Sequence, residues 1–430
     1  MKESLTKKSL AEWLSWQETL HSTEIDLGLD RIRQVAARLN LLTTDFPLIT
    51  VAGTNGKGSC VAMLDAIYRA QGYQTGNYTS PHLLRYNERI KLNGKEASDQ
   101  LIINAFEQIE AARGHISLSY FEFGTLAAML IFARKQVDVA ILEVGLGGRL
   151  DAANLWDASL ALISSIDIDH SDWLGNDREL IAIEKSGIMR AQRPVISGDP
   201  NPPDSIRSEA GRIGAKLLQL NTDFFYKMTA GVTDDKRRWL WSNSEKSYQL
   251  PLPSLAGEFQ LNNAATVIAG IEAMQATLPV SGKAIREGLR EARAPGRLQV
   301  LQSKPQWLLD VAHNPHAAKA LAGYLQKNSL KGKNYALFSM LKDKDISQVI
   351  SILDQYIDEW HIVGLEGSRG LTLTELNQSF NKETVQGRVI PHENFSDACE
   401  FLKNISKIED RVVAFGSFLV VSAVINNCNL

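Results

Sequence analysis

The sequence predicts an α/β protein with a larger N-terminal domain built on a mainly parallel sheet and a smaller C-terminal α/β domain. Three observations support this fold class. Short apolar, β-branched runs alternate with segments of helical periodicity, and parallel strands need crossovers that usually contain a helix. The 430 residues suffice for two or three domains at about 150 residues each. The turn sequence Ala294–Arg297 separates two such alternating regions.

The first half of the chain supplies the strands of the N-terminal domain. Its first forty residues have helical spacing. Strands are then predicted at Phe46–Ala52, Val137–Val144 and Leu160–Ile166, and helices at Cys60–Gln71, Tyr120–Arg134 and Asn262–Met274. Residues 198–255 are more polar and turn-rich, which predicts a peripheral, partly antiparallel extension.

The last third forms its own sheet in this interpretation. We place the domain boundary at the Ala294–Arg297 turn, giving domains 1–295 and 296–430. Strands of the second domain are predicted at Trp307–Ala312, Tyr335–Phe338, Glu359–Val363 and Val412–Phe415.

Composition and charge exclude several functional classes. Lys and Arg number 46 against 49 Asp and Glu, and the net charge of -3 lacks the basic excess of a dedicated nucleic-acid binder. Cys60, Cys399 and Cys428 form no CxxC or Cys/His cluster, so neither a disulfide framework nor a structural zinc site is predicted. The most apolar stretch, Val412–Ile425, is shorter than the ~20 residues of a membrane span. We expect a cytoplasmic protein with no membrane or nucleic-acid partner.

The strongest local signal is a Gly-rich loop between the first strand and its helix. It contains Gly53, Thr54, Asn55, Gly56, Lys57, Gly58 and Ser59. The glycines let backbone N–H groups face one anion, and Lys57 adds a mobile positive charge. The match to the general P-loop pattern is imperfect, because Val51 replaces its first glycine and Gly58 separates Lys57 from Ser59. A connector without a ligand is the alternative, which Lys57, Ser59 and the strand-loop-helix order disfavour, so the N-terminal domain is predicted to be a P-loop domain.

Other polar residues follow predicted strands. Glu143 ends a strand and suits Mg²⁺, but a strand-end glutamate equally often caps a loop. His170 lies among three aspartates, where it is either a metal ligand or a hydrogen-bonded loop residue. Lys185, taken alone, is typical of a solvated charge. Asp310 and His313 follow a strand of the second domain and either contact a nucleotide or form a capping turn.

The order of these motifs resembles the folylpolyglutamate synthase/dihydrofolate synthase family of Mur-ligase-like ATP-dependent amide ligases. The resemblance covers nearly the whole chain. Its marks are Asp26–Leu29, Gly53–Ser59, Thr79–His82, Tyr120–Gly124, Leu142–Asp151, Asp169–His170, Glu184–Gly187, Pro295–Arg297 and Asp310–Pro315. The family's shifted P-loop also accounts for Gly58 between Lys57 and Ser59.

The resemblance implies roles for individual residues. Ser80 and Glu143 would bind one Mg²⁺, and Glu143 with His170 a second. Lys185 would be carbamylated. The catalytic set would be Lys57, Lys185, Glu143 and His170. The loop Gly53–Ser59, together with Asn263, Arg297, Asp310 and His313, would bind ATP.

The implied reaction joins L-glutamate to dihydropteroate, giving dihydrofolate, and to reduced folates. The segments of the implied dihydropteroate pocket are Asp26, Leu27, Gly28 and Leu29, then Ser119, Tyr120, Phe121 and Glu122, then Leu150, Asp151 and Ala152. Phe121 and Phe123 are equally compatible with the core of a helix. The resemblance also implies a monomer.

Three alternatives stay open at this point. The enzyme could be a folylpolyglutamate synthase only. A Mur cell-wall ligase would share the ATP site but commonly has an additional N-terminal domain, and only about fifty residues precede this loop. A nucleotide-driven switch would use the loop without ligation, but the sequence contains no Asn-Lys-x-Asp motif.

Overall fold

The computed structural model of the chain describes residues 8–23, 25–229, 238–301, 305–367, 369–383 and 385–428. They divide into two units. The first comprises the described residues up to Ile166, then Arg178–Leu252 and Asn262–Ala292. The second comprises Asp167–Asp177, Pro253–Leu261 and the described residues from Arg293 onward. The domain limits 1–295 and 296–430 stay a prediction.

The first unit contains an eight-stranded sheet in the order β4-β3-β2-β5-β1-β6-β7-β8. Its strands are β1 Leu48–Ala52, β2 Thr75–Tyr78, β3 Ile90–Leu92, β4 Lys95–Glu96, β5 Val139–Glu143, β6 Leu160–Ile163, β7 Pro194–Ser197 and β8 Lys216–Gln219. Only the β2–β3 and β3–β4 pairs are antiparallel. The apolar runs of β1, β5 and β6 are buried throughout, as expected for central parallel strands covered on both faces.

Ten helices are described in the part of the chain up to Glu291. They are α1 Leu10–Leu20, α2 Asp30–Arg38, α3 Lys57–Gln71, α4 Asp99–Arg113, α5 Tyr120–Lys135, α7 Arg178–Ser186, α8 Asp204–Ile213 and α10 Gly282–Glu291, with α6 Ser171–Leu174 and the start of α9 Phe259–Ala273 in the second unit. Short 3₁₀ turns lie at Tyr86–Arg89 and Ala152–Asn154. Helices α1, α2, α4 and α5 share one apolar core, in which Trp13, Phe106 and Phe123 pack together.

The polar region from residue 198 onward was only partly predicted. Its antiparallel part is confirmed by a three-stranded sheet of β9 Phe224–Thr229, β10 Arg238–Asn243 and β11 Ser247–Pro251. Its beginning is not antiparallel, because β8 pairs in parallel with β7 and extends the large sheet at its edge. Residues 230–237, inside the same stretch, lie outside the described residues.

The second unit is built on a six-stranded sheet in the order β12-β13-β17-β14-β15-β16. Its strands are β12 Gln299–Leu301, β13 Gln306–Leu309, β14 Asn334–Phe338, β15 Glu359–Val363, β16 Arg388–His392 and β17 Arg411–Phe415; its remaining helices are α11 Pro315–Lys327, α12 Ile346–Leu353, α13 Leu373–Lys382, α14 Phe395–Ile405 and α15 Phe418–Cys428, with a 3₁₀ turn at Asp354–Tyr356. All pairs except β12–β13 are parallel. The four strands predicted here are confirmed, and β12 and β16 are two further strands that were not predicted.

Two further observations bear on the expectations from composition. Cys60 and Cys399 are buried free thiols. Among the described residues, no helix combines the length and the apolar character required to cross a membrane.

Candidate active site

The Gly-rich loop connects the buried strand β1 to helix α3 at the carboxyl edge of the large sheet. Gly53 and Gly56 have φ angles of +144° and +88°, which side-chain-bearing residues rarely adopt. A Cβ atom at Gly53 would overlap Ser164 Oγ, and one at Gly56 would lie 2.5 Å from Asn263 Oδ1. Both glycines are therefore required by close packing as well as by backbone conformation, and Asn263 of α9 lies directly against the loop.

The end of the neighbouring strand β6 holds this loop in place. Thr54 N donates to Ser165 O at 2.7 Å, and Ser164 Oγ donates to Asn55 O at 2.6 Å. These bonds join residues that are more than one hundred positions apart in the chain. The loop conformation is thus supported by the parallel sheet rather than by local sequence alone.

Two lysines converge on one carbonyl group of the loop. Lys57 Nζ donates to Gly53 O at 3.0 Å and lies 3.3 Å from Thr54 O. Lys185 Nζ donates to the same Gly53 O at 3.1 Å. The side chain of Lys185 is 5% exposed, so the interpretation of this residue as a solvated surface charge is wrong.

Lys185 reaches the loop because the segments around Gly148 and Gly187 are in close backbone contact. Arg149 N donates to Glu184 O at 2.9 Å. A Cβ atom at Gly148 would lie 2.6 Å from Glu184 O, and Gly187 is similarly close to the backbone of Arg149. Only glycine permits this backbone approach, which directs the end of α7 toward the phosphate loop.

Ser80 and Glu143 lie together at the same edge of the sheet. Strand β5 lies between β2 and β1, and Glu143, its last residue, pairs in register with Val51. Ser80 N donates to Glu143 Oε2 at 3.3 Å, and the glutamate is 4% exposed. Burial and the neighbouring Glu143 raise the pKa of the Cys60 thiol, so this cysteine stays protonated.

The oxygen donors at this edge fit Mg²⁺. Within the described ranges, no three His, Cys, Asp or Glu side chains converge as a complete metal centre. Mg²⁺ does not need one, because it usually keeps several waters and phosphate oxygens and takes only one or two protein carboxylates. The buried carboxylate of Glu143 beside Ser80 meets that requirement.

The three segments predicted for a dihydropteroate pocket meet in the first unit. Gly28 N donates to Leu150 O at 3.2 Å, which joins the first segment to the third. Phe121 of the second segment lies against Gly145, where a Cβ atom would be 2.8 Å from its ring. The same Cβ would lie 3.3 Å from Asp151 Oδ2 of the third segment.

Asp151, in the third of these segments, is a buried carboxylic acid. Burial raises its pKa to about 6, against the lowering effect of hydrogen bonds from Leu146 N and Ala153 N.

The structure distinguishes the environments of the two phenylalanines at the start of α5. Phe123 is fully buried in the helical core, whereas Phe121 is half-buried and packs against Tyr78 with ring centroids 5.6 Å apart. Phe121 is therefore the one placed toward the pocket segments.

In the second unit, Asp310 is one of the residues predicted to contact the nucleotide. Its carboxylate accepts hydrogen bonds from Leu298 N and Ala312 N, both at 2.7 Å. Burial raises the pKa of Asp310, and the positive charge of Arg297 opposes this shift. The Arg297 guanidinium lies over the ring of Phe418, 5.0 Å from its centroid. Asp310 thus caps its own turn and also lies within the field of Arg297. Its contact with a nucleotide stays a prediction.

Asp169 is the centre of a buried charge cluster that sequence reasoning missed. Its Oδ1 accepts a hydrogen bond from Lys344 Nζ at 2.6 Å, and its Oδ2 accepts one from Asn314 Nδ2 at 3.0 Å. His313 Nε2 lies 3.4 Å from Oδ2, and His170 Nε2 lies 4.0 Å from it. Burial acts to raise the pKa of Asp169, but the hydrogen bond from His313 and the neighbouring charges, Lys344 among them, outweigh this and strongly lower it. His170 itself is held at the start of α6 with a φ of +53°.

Sequence reasoning also missed Lys344 and Arg31, because each lies in a polar segment of the sequence. Lys344 belongs to a charged run, Lys342–Asp345, and Arg31 follows Asp30 in a polar helix. Both patterns are typical of solvated surfaces, yet Lys344 is 5% exposed and Arg31 contacts two of the predicted pocket segments. Their partners lie far away in the chain, so no local signal identifies them.

Comparison with known proteins decides the family. Residues 51–271 match the Mur ligase middle domain, and residues 296–418 match the Mur ligase glutamate ligase domain. The dihydrofolate synthase/folylpolyglutamate synthase of Escherichia coli K12 is 43% identical over 416 residues, which are 96% of this chain and 94% of that protein. The chain belongs to the dihydrofolate synthase/folylpolyglutamate synthase family of Mur ligases.

Solved structures of this dihydrofolate synthase/folylpolyglutamate synthase family share the whole fold. The E. coli FolC complex with DHPP and ADP has a TM-score of 0.90 at 42% identity and covers 97% of both chains. A bifunctional folylpolyglutamate synthase/dihydrofolate synthase with Mn, AMPPNP and L-glutamate bound has a TM-score of 0.89 at 42% identity and covers 98% of both chains. The predicted fold class and family membership are confirmed.

Proposed function

We propose that this protein uses ATP to join L-glutamate to dihydropteroate, forming 7,8-dihydrofolate, and to the γ-carboxylate of reduced folates. The observation that carries the proposal is the convergence of Lys57 and Lys185 on the Gly53 carbonyl of a phosphate loop. Ser80 and Glu143 lie at the same sheet edge. The relatives are named dihydrofolate synthase/folylpolyglutamate synthase, and one solved relative holds a nucleotide and glutamate together.

The first chemical step activates the substrate carboxylate. A carboxylate oxygen attacks the γ-phosphorus of ATP, the bond from that phosphorus to the β,γ-bridging oxygen breaks, and ADP leaves. Backbone N–H groups of the loop and the Lys57 ammonium neutralise charge on the transferring phosphoryl group. The product is an acyl phosphate, which no protein nucleophile has to form.

The second step makes the amide bond. The amine of L-glutamate attacks the acyl carbon, giving a tetrahedral intermediate that expels inorganic phosphate and loses a proton from nitrogen. The acyl phosphate is prone to hydrolysis, so exclusion of water favours ligation. The sum is carboxylate, amine and ATP converted into amide, ADP and phosphate.

Two Mg²⁺ ions complete the proposed site. Ser80 and Glu143 would hold one, and the pairing of Glu143 with His170 at the other stays a prediction from the family resemblance. Bound there, Mg²⁺ supplies positive charge to the phosphate oxygens. The support on this chain is the buried Glu143 carboxylate beside Ser80 at the sheet edge.

Lys185 is proposed to be carbamylated. Its ammonium first loses a proton. The neutral amine then adds to carbon dioxide, forming an N–C bond and releasing a second proton, which gives an anionic carbamate. Burial favours this product over a second ammonium beside Lys57, because two neighbouring cations in one enclosed site repel each other. The remaining N–H of a carbamate still donates to Gly53 O.

The nucleotide contacts outside the loop are proposed to come from Asn263, Arg297, Asp310 and His313. Asn263 lies against Gly56, which supports its assignment. Asp310 and Arg297 influence each other electrostatically in the second unit.

The monomeric state also remains a prediction, which light scattering on the purified chain tests.

The deciding experiment measures products. Purified protein is incubated with Mg-ATP, L-glutamate and either dihydropteroate or tetrahydrofolate, followed by mass spectrometry and phosphate release. We expect an added glutamate on both substrates. Product from tetrahydrofolate alone identifies a folylpolyglutamate synthase, whereas phosphate release without a new amide contradicts the proposed ligation.

A further inference from the structure

Arg31 joins two segments that are separated by about ninety residues in the chain. It lies in the first turn of α2, and its Nη1 donates to Asp26 Oδ2 at 2.5 Å. Its Nη2 donates to Asp26 O at 2.7 Å and lies 3.3 Å from Glu122 Oε1. One guanidinium therefore holds both a side chain and a backbone carbonyl of the first pocket segment and faces a carboxylate of the second.

Each partner of Arg31 is itself fixed by other contacts. Asp26 Oδ2 is also 2.9 Å from His21 Nε2, and His21 Nδ1 is 3.0 Å from Ser117 Oγ. Glu122, 2% exposed, accepts a hydrogen bond from Ser119 N at 2.7 Å and completes the capping box of α5, whose N-cap residue is Ser119. These contacts connect the Asp26–Leu29 loop to the start of α5 through polar groups.

Little secondary structure holds the Asp26–Leu29 loop in position. Its residues 25–28 belong to no helix or strand, and Leu29 lacks a side-chain capping bond to α2. Beyond the Arg31 contacts, Gly28 N donates to Leu150 O at 3.2 Å, which gives one backbone link to the third segment. Removing Arg31 would leave Glu122 buried without its facing cation.

We propose that Arg31 is a positioning residue for the pterin-binding part of the site, because it holds the Asp26–Leu29 loop against the start of α5. The inference rests on the proposed function, which assigns both segments to the dihydropteroate pocket. Arg31 acts through Asp26 and Glu122 and not on the reacting atoms. Its loss therefore weakens binding of pterin-containing substrates and leaves the ATP and glutamate sites unchanged.

The electrostatics agree with this geometry. Burial raises the pKa of Glu122, whereas the hydrogen bond from Ser119 and the charge of Arg31 oppose that rise. The planar fork of arginine can contact Asp26 and Glu122 at once, which the single ammonium of lysine cannot do in the same way.

The test compares Arg31→Ala with Arg33→Ala, a matched control on the same helix. Arg33 is about half exposed and its ion pair with Asp30 is 3.7 Å long. Steady-state kinetics give KM for dihydropteroate, Mg-ATP and L-glutamate, and direct titration gives dihydropteroate affinity without turnover. Thermal unfolding checks each variant, and Arg31→Gln carries the same comparison if Arg31→Ala is too unstable to purify.

We expect the dihydropteroate KM of Arg31→Ala to rise about tenfold or more, since small displacements of positioning groups have large effects. Its KM for ATP and glutamate should stay within about twofold of the control. Arg31→Lys should recover only part of the loss. A pterin KM equal to that of Arg33→Ala, a common rise of all three KM values, or full recovery in Arg31→Lys would each overturn the proposal.

Failure of the two proposals is distinguishable. If the wild-type protein binds dihydropteroate but makes no amide, the proposed ligation fails, and weaker binding by Arg31→Ala still supports the role of Arg31. If wild-type and Arg31→Ala proteins bind dihydropteroate equally, or neither binds it, the role of Arg31 is refuted.

Discussion

Lys185 Nζ donates a hydrogen bond to the carbonyl oxygen of Gly53 at 3.1 Å. This bond connects the end of α7 to the phosphate loop, where Lys57 donates to the same oxygen. Two amino groups thus share one acceptor in an enclosed site. The arrangement makes the charge state of Lys185 decisive for whatever anion the loop binds.

Lys185→Ala is expected to lower kcat by at least about a hundredfold while the protein stays folded, because it removes the proposed carbamate. Millimolar acetate or formate should restore part of the activity by supplying a carboxylate in its place. Stopped assays of phosphate release measure both effects, and Lys216→Ala, at an exposed position, is the control. Near-normal activity of Lys185→Ala without any added acid would refute the carbamate.

Glu143→Gln is expected to raise the Mg²⁺ concentration needed for half-maximal activity by about tenfold or more, because the amide keeps the size but loses the charge of a hard oxygen ligand. Activity measured across a Mg²⁺ titration at fixed ATP tests this. The unfolding temperature should change little. An unchanged Mg²⁺ requirement would show that Glu143 only accepts the bond from Ser80.

Gly56→Ala and Gly72→Ala form a matched pair at the two ends of α3. Both glycines have positive φ, but the added Cβ at Gly56 would lie 2.5 Å from Asn263 Oδ1, whereas Gly72 has nothing within 4 Å. Each change should cost about 1 kcal/mol of stability for the backbone conformation. Only Gly56→Ala should also weaken ATP binding, as calorimetric titration would show. Equal affinity in the two variants would contradict the packing argument.

His361 is expected to make stability depend on pH. Burial and the adjacent His392, whose Nε2 is 2.9 Å from His361 Nδ1, lower the pKa of His361 from 6.5 to about 4. The unfolded chain therefore binds a proton that the folded chain excludes between these values, and stability is lost as the pH falls from 6.5 toward 4. The full effect is on the order of 3 kcal/mol.

The measurement compares unfolding temperatures between pH 7 and pH 5 in the wild type, His361→Phe and the exposed control His115→Asn. Asp151, whose pKa is raised to about 6, acts in the opposite direction, because its contribution is lost as the pH rises. The difference between variants isolates the histidine. A pH dependence that is the same in all three proteins would rule out His361 as its source.

Lys344→Met is expected to destabilise the second unit by about 3 to 5 kcal/mol, because it leaves the buried Asp169 carboxylate without its closest cation. Lys342→Met is the control: its side chain is 44% exposed and its ion pair with Glu375 is a surface pair worth about 1 kcal/mol or less. Denaturant unfolding measures both. Adding Asp169→Asn to Lys344→Met should recover part of the loss, and purely additive effects would argue against the pair.

Local sequence patterns were sufficient for the phosphate loop, for the adjacent central strands β5, β1 and β6, and for four strands of the second sheet. The run Phe46–Ala52 is apolar and β-branched, glycines follow it, and Lys57 begins a helix, so each feature is determined by neighbours in the chain. The strand at the beginning of the polar region, β8, was not predicted from local patterns. Strand β8 is only partly buried and lies at the edge of the sheet, so it lacks the continuous apolar run of central strands.

The sequence by itself determined the fold class, the phosphate loop, the family and the segments of the proposed pocket, because these depend on residue types at fixed spacing. Only the tertiary structure decided the environments of Lys185, Arg31 and Lys344. Each has a charged side chain on a helix or loop that looks solvated locally, and each is enclosed by partners contributed from distant parts of the chain. Burial and charge pairing across the fold are not encoded by periodicity, so they become visible only when the strands and loops are assembled.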